Sequence, residues 1–142
     1  MDADNISEPK LGELYWDSRF GWWEGRFPQN SEVSFKLYIK GQKPDRTISA
    51  EARQAIVGLA GRDAAIRHQA AFGLLKILNS TWNEGDPIGE SEFIRRMSPG
   101  SIVVYTSGRA DVSYHDDEMF LGHEISVRIA PDGKFIEALI QG

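Results

Sequence analysis

The sequence contains no cysteine. That absence removes a disulfide framework, a thiolate zinc site and a cysteine nucleophile together, and it suits a reducing compartment. No apolar run approaches the roughly 20 residues needed to span a bilayer, so no membrane partner is expected. The opening segment Met1-Asp2-Ala3-Asp4-Asn5-Ile6-Ser7-Glu8-Pro9 is acidic and has no apolar stretch. It is expected not to be a signal peptide, and the expected location is the cytoplasm. Phosphate loops are missing too. Neither a Walker pattern nor G-x-G-x-x-G occurs, the glycines stand singly at turns, and no cofactor is expected. G-x-S-x-G is also absent, and Ser101, Ser107 and Ser113 read as ordinary turn or strand serines. No catalytic residue is assigned.

What is present describes a globular domain. With 41% hydrophobic and 26% charged residues, the chain is not disordered throughout. A length of 142 residues fits one domain, and a chain of that size buries roughly 70% of its unfolded surface. The net charge is −5, and it is unevenly spread. Between Glu84 and Glu124 nine acids face three bases, which leaves −6 there and +1 elsewhere. Such a segment repels phosphate backbones, so no nucleic acid is expected as partner. It could attract a basic protein, or it could serve solubility as a solvated surface.

Residues 1–10 read as a flexible tail, and 11–142 as a single domain. Strands are expected over Leu11 to Asp17, Trp22 to Phe27 and Glu32 to Lys40. In the last of these Val33, Phe35, Leu37 and Ile39 alternate with polar neighbours, the period of a strand with one buried face. Ser49 is the expected N-cap of a helix whose stripe is Ala52, Ile56, Leu59 and Ala60. Asp63 is the expected cap of a second helix, with Ile66, Ala70, Leu74, Ile77, Leu78 and Thr81 on one face through to Trp82. Ser91 is expected to cap a short third helix over Glu92 to Met97, ended by Ser98-Pro99-Gly100. Four β-runs follow: Ser101 to Thr106, Ala110 to His115, His123 to Ala130 and Lys134 to Gln141. Grouped strands and helices imply an α+β fold. The expected form is an antiparallel sheet, from a three-stranded N-terminal and a four-stranded C-terminal meander, with the helical block packed on one face.

Two features are candidates for function. The first is Tyr114-His115-Asp116-Asp117-Glu118-Met119-Phe120-Leu121-Gly122-His123, which gathers two of the three histidines around three consecutive acids. Imidazole and carboxylate are plausible ligands for a divalent ion. But the seven residues between His115 and His123 give no H-x-x-x-H spacing, and the acids lack the D-x-D-x-D-G pattern of a calcium loop. A polar connection between strands is the plainer reading. In it Phe120 and Leu121 tuck into the core, Gly122 permits the turn, His123 bonds nearby backbone, and Asp116, Asp117 and Glu118 face water. The second feature is aromatic. Trp22 and Trp23 are adjacent on a strand, so one should be buried and the other more exposed, either as packing or as an interface anchor.

Short stretches suggest a family. Leu11-Gly12 and Trp23-Glu24-Gly25 near the start, and Phe93-Ile94, Phe120-Leu121-Gly122-His123-Glu124-Ile125, Asp132-Gly133 and Ile140-Gln141-Gly142 further on, resemble a bacterial family known as domain of unknown function twenty-two sixty-two. The resemblance implies a small bacterial cytosolic domain and transfers no catalytic residue.

The reading is a non-enzymatic protein-binding module, immunity-protein-like, which meets a basic partner through its acidic surface. Trp22, Trp23, Asp116, Asp117 and Glu118 are the partner-binding candidates. The alternative is a metal-binding domain or metal-dependent enzyme using His115 and His123. A domain that pairs with itself through an open sheet edge is a third possibility.

Overall fold

A computed structural model describes residues 5–8, 10–27, 30–38, 48–59 and 61–142. Its strands are β1 (Ile6–Glu8), β2 (Gly12–Asp17), β3 (Trp22–Phe27), β4 (Asn30–Tyr38), β5 (Ser98–Tyr105), β6 (Ala110–His115), β7 (Glu124–Ile129) and β8 (Phe135–Gln141). Its helices are α1 (Ala50–Leu59), α2 (Asp63–Ile77) and α3 (Glu90–Arg96), and α2 runs on into a π-helical turn at Leu78–Trp82. The class is therefore α+β. Ile39 and Lys40 of the expected third strand and Ala60 of the expected helix stripe lie outside the described residues.

All eight strands lie in one sheet, in sequence order. The purely antiparallel sheet expected from the sequence is corrected: β4 and β5 run parallel, with Ser34 opposite Ser101 and Tyr38 opposite Tyr105. The other six neighbouring pairs are antiparallel. Alternation is the same for strands of either direction, so the pattern could not reveal this. The helical block between β4 and β5 supplies the long connection that a parallel pair requires.

Register separates the two faces of the sheet. One cross-strand row, Trp23–Leu37–Val104–Ala110–Ile129, is buried throughout. The row one residue away, Glu24–Lys36–Val103–Asp111–Arg128–Glu137, has no buried member. The helices lie against the first face. Gly73 of α2 sits so close to β8 that a Cβ there would lie 3.7 Å from the Cβ of Ala138. Gly25 belongs to the same buried layer. A Cβ on it would stand 2.6 Å from the Phe35 ring and 2.7 Å from Leu14, so only glycine lets those side chains close over β3.

Several boundaries differ from expectation. The expected tail contains a strand: Ile6–Glu8 pairs with β2, and Glu8 holds Arg53 of α1 at 2.9 Å. Ser49 caps α1 as expected, accepting the Ala52 N–H at 3.1 Å. Asp63 does not cap α2. It occupies the first turn and turns its carboxylate to Arg67 and Tyr114. Ser91 lies inside α3, which begins at Glu90 after Gly89. Pro99 and Gly100 do not end that helix but open β5, at an irregularity in its pairing with β6, where proline and glycine are tolerated in a sheet. On α2, Ala71 is buried in place of the expected Ile77 and Thr81.

Candidate functional site

The connection between β6 and β7 is a short loop folded around its first carboxylate. Asp116 is 5% exposed. Its Oδ1 accepts the Glu118 N–H at 3.2 Å, and its Oδ2 accepts those of Phe120 at 2.7 Å and Gly122 at 3.1 Å. The expectation that Asp116 faces water is thus wrong. A short acidic side chain can bond backbone a few residues on, and here it takes up three N–H groups that the tight turn leaves without carbonyl partners. That latch holds unusual backbone. Asp117, Glu118 and Leu121 all have positive φ, at 48°, 64° and 59°, with Gly122 at 90°. Left-handed conformations cost about 1 kcal/mol or more for residues other than glycine.

The loop sorts its apolar side chains in a way the sequence did not suggest. Met119 and Phe120 are buried, whereas Leu121, expected to tuck in, is 70% exposed. Phe120 packs edge-on against Trp82 of the π-helical turn and Phe93 of α3, with ring centroids 5.6 and 6.2 Å away. Arg96 of α3 secures the outside of the loop, donating to the Asp117 carboxylate at 2.9 Å and to the Asp117 carbonyl at 2.6 Å. Glu118 is exposed. The loop is therefore a braced projection whose outer surface carries Leu121 and Glu118.

The two histidines are not brought together. Tyr114 points into the buried layer, so His115, the next residue on β6, faces the opposite side of the sheet and is exposed. His123 turns to the helical side, where its ring packs on Trp82 with centroids 5.5 Å apart. Its Nδ1 stands 2.6 Å from the Phe120 carbonyl. A carbonyl only accepts, so the proton sits on Nδ1, and His123 fixes the turn as expected. The third histidine, His68, contacts the Glu90 carboxylate. Among the described residues no three histidine or acidic side chains converge as a metal would require.

A polar node that sequence patterning does not reveal joins the buried Tyr114 to Arg67 and to the exposed Asp63. The Tyr114 hydroxyl donates to Asp63 Oδ1 at 2.8 Å, Arg67 donates to Asp63 Oδ2 at 2.8 Å, and the Arg67 guanidinium lies 5.1 Å from the Tyr114 ring centroid. Arg67 also donates to the Met97 carbonyl at 2.5 Å, joining α2 to the end of α3. Burial first, and the bond to the Asp63 carboxylate second, push the Tyr114 phenol far above its ordinary value. A group whose folded pKa is raised gives stability that is present below the unfolded value, about 10, and lost as pH rises past it. The wild type should therefore lose stability above about pH 10 more steeply than Tyr114→Phe, measured by urea melts across that range. Parallel slopes would remove this assignment.

The aromatic candidates separate as the alternation requires. Trp23 is fully buried and cannot anchor a partner, while Trp22 is partly exposed. The Trp22 ring stacks on Phe20 at 4.7 Å, lies 5.5 Å from Lys36 Nζ, and donates its N–H to Glu24 at 3.0 Å. Trp22 is thus already engaged within its own sheet face.

The acidic segment becomes more one-sided once its pairs are placed. Its three bases are all taken by its own acids: Arg95 by Glu92 at 2.7 Å, Arg96 by Asp117 at 2.9 Å and Arg109 by Asp111 at 3.7 Å. Asp116 is spent on the latch, while Glu84, Asp86, Glu118 and Glu124 remain exposed. Glu118 and Glu124 flank Leu121 in sequence. Glu84 and Asp86 leave from the same region, because Trp82 packs on both Phe120 and His123.

A family model described as an uncharacterized protein conserved in bacteria (DUF2262) matches residues 8–140. The chain belongs to this family. The match spans every element from the end of β1 to β8, so both the latched loop and the Tyr114 node are parts of a DUF2262 domain. Of the stretches that suggested the family, Leu11, Trp23, Gly25, Phe93, Phe120 and Ile125 are buried, and the other residues are partly or fully exposed. No curated protein and no solved structure matches the chain. Among the described residues no helix is long and apolar enough to cross a membrane.

Proposed function

We propose that this DUF2262 chain is a non-enzymatic protein-binding module whose recognition element is the loop from Asp116 to His123. The observation that carries the reading is Leu121, an apolar side chain held 70% exposed at a left-handed position by a buried carboxylate. Strained backbone that the surroundings over-determine is characteristic of sites that bind. A braced loop has little freedom left to lose on association, which favours affinity. The uncompensated Glu118 and Glu124 beside it favour a basic partner, the form an immunity-type inhibitor of a basic protein would take.

Within this reading Asp116 acts by shaping the loop, and the surface that meets the partner is Leu121 with Glu118 and Glu124. Recovery of partner on immobilised wild-type protein should fall about 10-fold for Leu121→Ser, the loss of roughly 1.4 kcal/mol that separates a contributing contact from a bystander. Glu118→Gln with Glu124→Gln should weaken recovery chiefly at low salt, where charge acts furthest. Equal recovery by wild type and both variants would refute the reading.

A further inference from the structure

Phe72 is 92% exposed, more than any other large apolar side chain among the described residues. It stands on α2 with the buried Ala71 and the partly buried Leu75 beside it. Together they give the floor and one wall of an open hollow of about 580 Å³, which also touches Lys76, Asn79 and Glu90, the first residue of α3. Folding gains almost nothing from an aromatic ring left in water, and an apolar patch rimmed by polar residues marks a place of contact.

The far end of the hollow carries a second observation. There α2 passes into the π-helical turn Leu78–Trp82, closed by the Asn83 N–H on the Leu78 carbonyl at 2.7 Å. Such turns are rare overall and frequent at functional sites. Asn79, on that turn, lines the hollow and fixes the chain that follows. Its Nδ2 donates to the Ile88 carbonyl and its Oδ1 accepts the Ile88 N–H, both at 3.0 Å. Asn83 completes the clamp, donating to the Asp86 carbonyl at 2.8 Å and accepting the Gly85 N–H at 3.0 Å. The loop bearing Glu84 and Asp86 is thereby pinned to the end of the hollow, with both acids exposed. Three acids, Glu84, Asp86 and Glu90, thus stand there against one base, Lys76.

We infer that this hollow is a docking groove for an amphipathic helix of a partner protein, one with lysine or arginine beside its apolar stripe. The charge balance selects a basic occupant, since complementary potentials steer association and suppress wrong partners. The apolar floor selects a helical one. An extended chain would lay its own N–H and C=O groups on Ala71, Leu75 and Phe72, whose side chains offer them no bond, whereas a helix satisfies them internally. Length agrees as well. From Phe72 to Asn79 is about 10 Å at the helical rise, which two turns of a partner helix cover with apolar side chains at i, i+3 or i+4, and i+7. Leu121 does not line this groove, so it is a second surface beside the loop.

A phage-displayed library of random peptides, each long enough for about four helical turns, tests this by selection on the immobilised full chain. Enriched sequences should carry apolar residues at spacings of three and four, with lysine or arginine between them. One such peptide, made synthetically, should bind wild type about 10-fold more tightly than Phe72→Ser, a variant that should keep the wild-type melt because the ring is in water. The triple variant Glu84→Gln, Asp86→Asn, Glu90→Gln should weaken binding by a similar factor at low salt and much less at about 0.5 M. Leu121→Ser should bind the peptide as wild type does, so this inference and the loop reading fail separately. No enrichment, enrichment kept on Phe72→Ser, or selected sequences that are acidic or lack helical spacing overturn the inference. So does a wild-type dimer in light scattering that Phe72→Ser abolishes, which would give the groove to a second copy.

Discussion

Asp116→Ala is expected to lower unfolding stability by about 3 kcal/mol, a large effect for one side chain in a loop. The substitution removes a charged acceptor from three backbone N–H groups, two of them held by one oxygen. Hydrogen bonds to charged groups contribute roughly 1.5–3 kcal/mol each, and a buried donor left alone costs about as much. The total stays below the sum because the loop can open and let water reach the freed amides. Asp116→Asn keeps one acceptor oxygen and should lose about 1 kcal/mol. Urea denaturation of the two variants measures both values, and the Phe120 and Gly122 amides should exchange faster in the alanine variant. A change within about 0.5 kcal/mol for Asp116→Ala would mean that the carboxylate is not the latch.

Phe120→Ala should cost about 3–5 kcal/mol, the range for emptying a fully buried aromatic site. Phe120 is 0% exposed, and its ring meets Trp82 and Phe93 from two helical elements that cannot both move in to fill the gap. The adjacent Leu121→Ala should change stability by less than about 0.5 kcal/mol, since its side chain is mostly in water. Neighbouring residues in one loop thus separate folding from binding: the first variant should melt early, and the second should melt normally yet bind poorly. Denaturation with attention to the slope tests this, because an unchanged slope shows that stability rather than compactness was altered. A loss below about 1 kcal/mol for Phe120→Ala would contradict its place in the core.

Much of the sheet was legible because burial imposes period two on a strand. Trp22–Phe27 and Ala110–His115 match expectation residue for residue. The parallel junction of β4 and β5 was not legible, since alternation does not encode direction. The loop failed for a related reason. Phe120 is inward as expected, but positive φ at Asp117, Glu118 and Leu121 redirects the loop, so that Met119 is buried and Leu121 is exposed. Asp116 was missed because three acids in a row read as surface. The available signal was an aspartate at a strand end with a glycine a few residues on, a pattern in which a carboxylate can bond backbone ahead of it. Whether His115 and His123 converge was open from spacing alone, and the structure turns them apart, because Tyr114 faces the buried layer and its neighbour His115 the other side.

The parallel junction also has a kinetic meaning. Ser34 and Ser101 are ladder partners 67 positions apart, nearly half of the chain's 142 residues, whereas the other neighbours in the sheet are joined by short connections. The strands therefore fall into two locally wired blades that can each form early, and the β4–β5 seam carries nearly all of the long-range closure entropy. Until the helices fold and span it, both blades expose an inner edge. The aggregation risk of this domain belongs to that interval, before the seam zips.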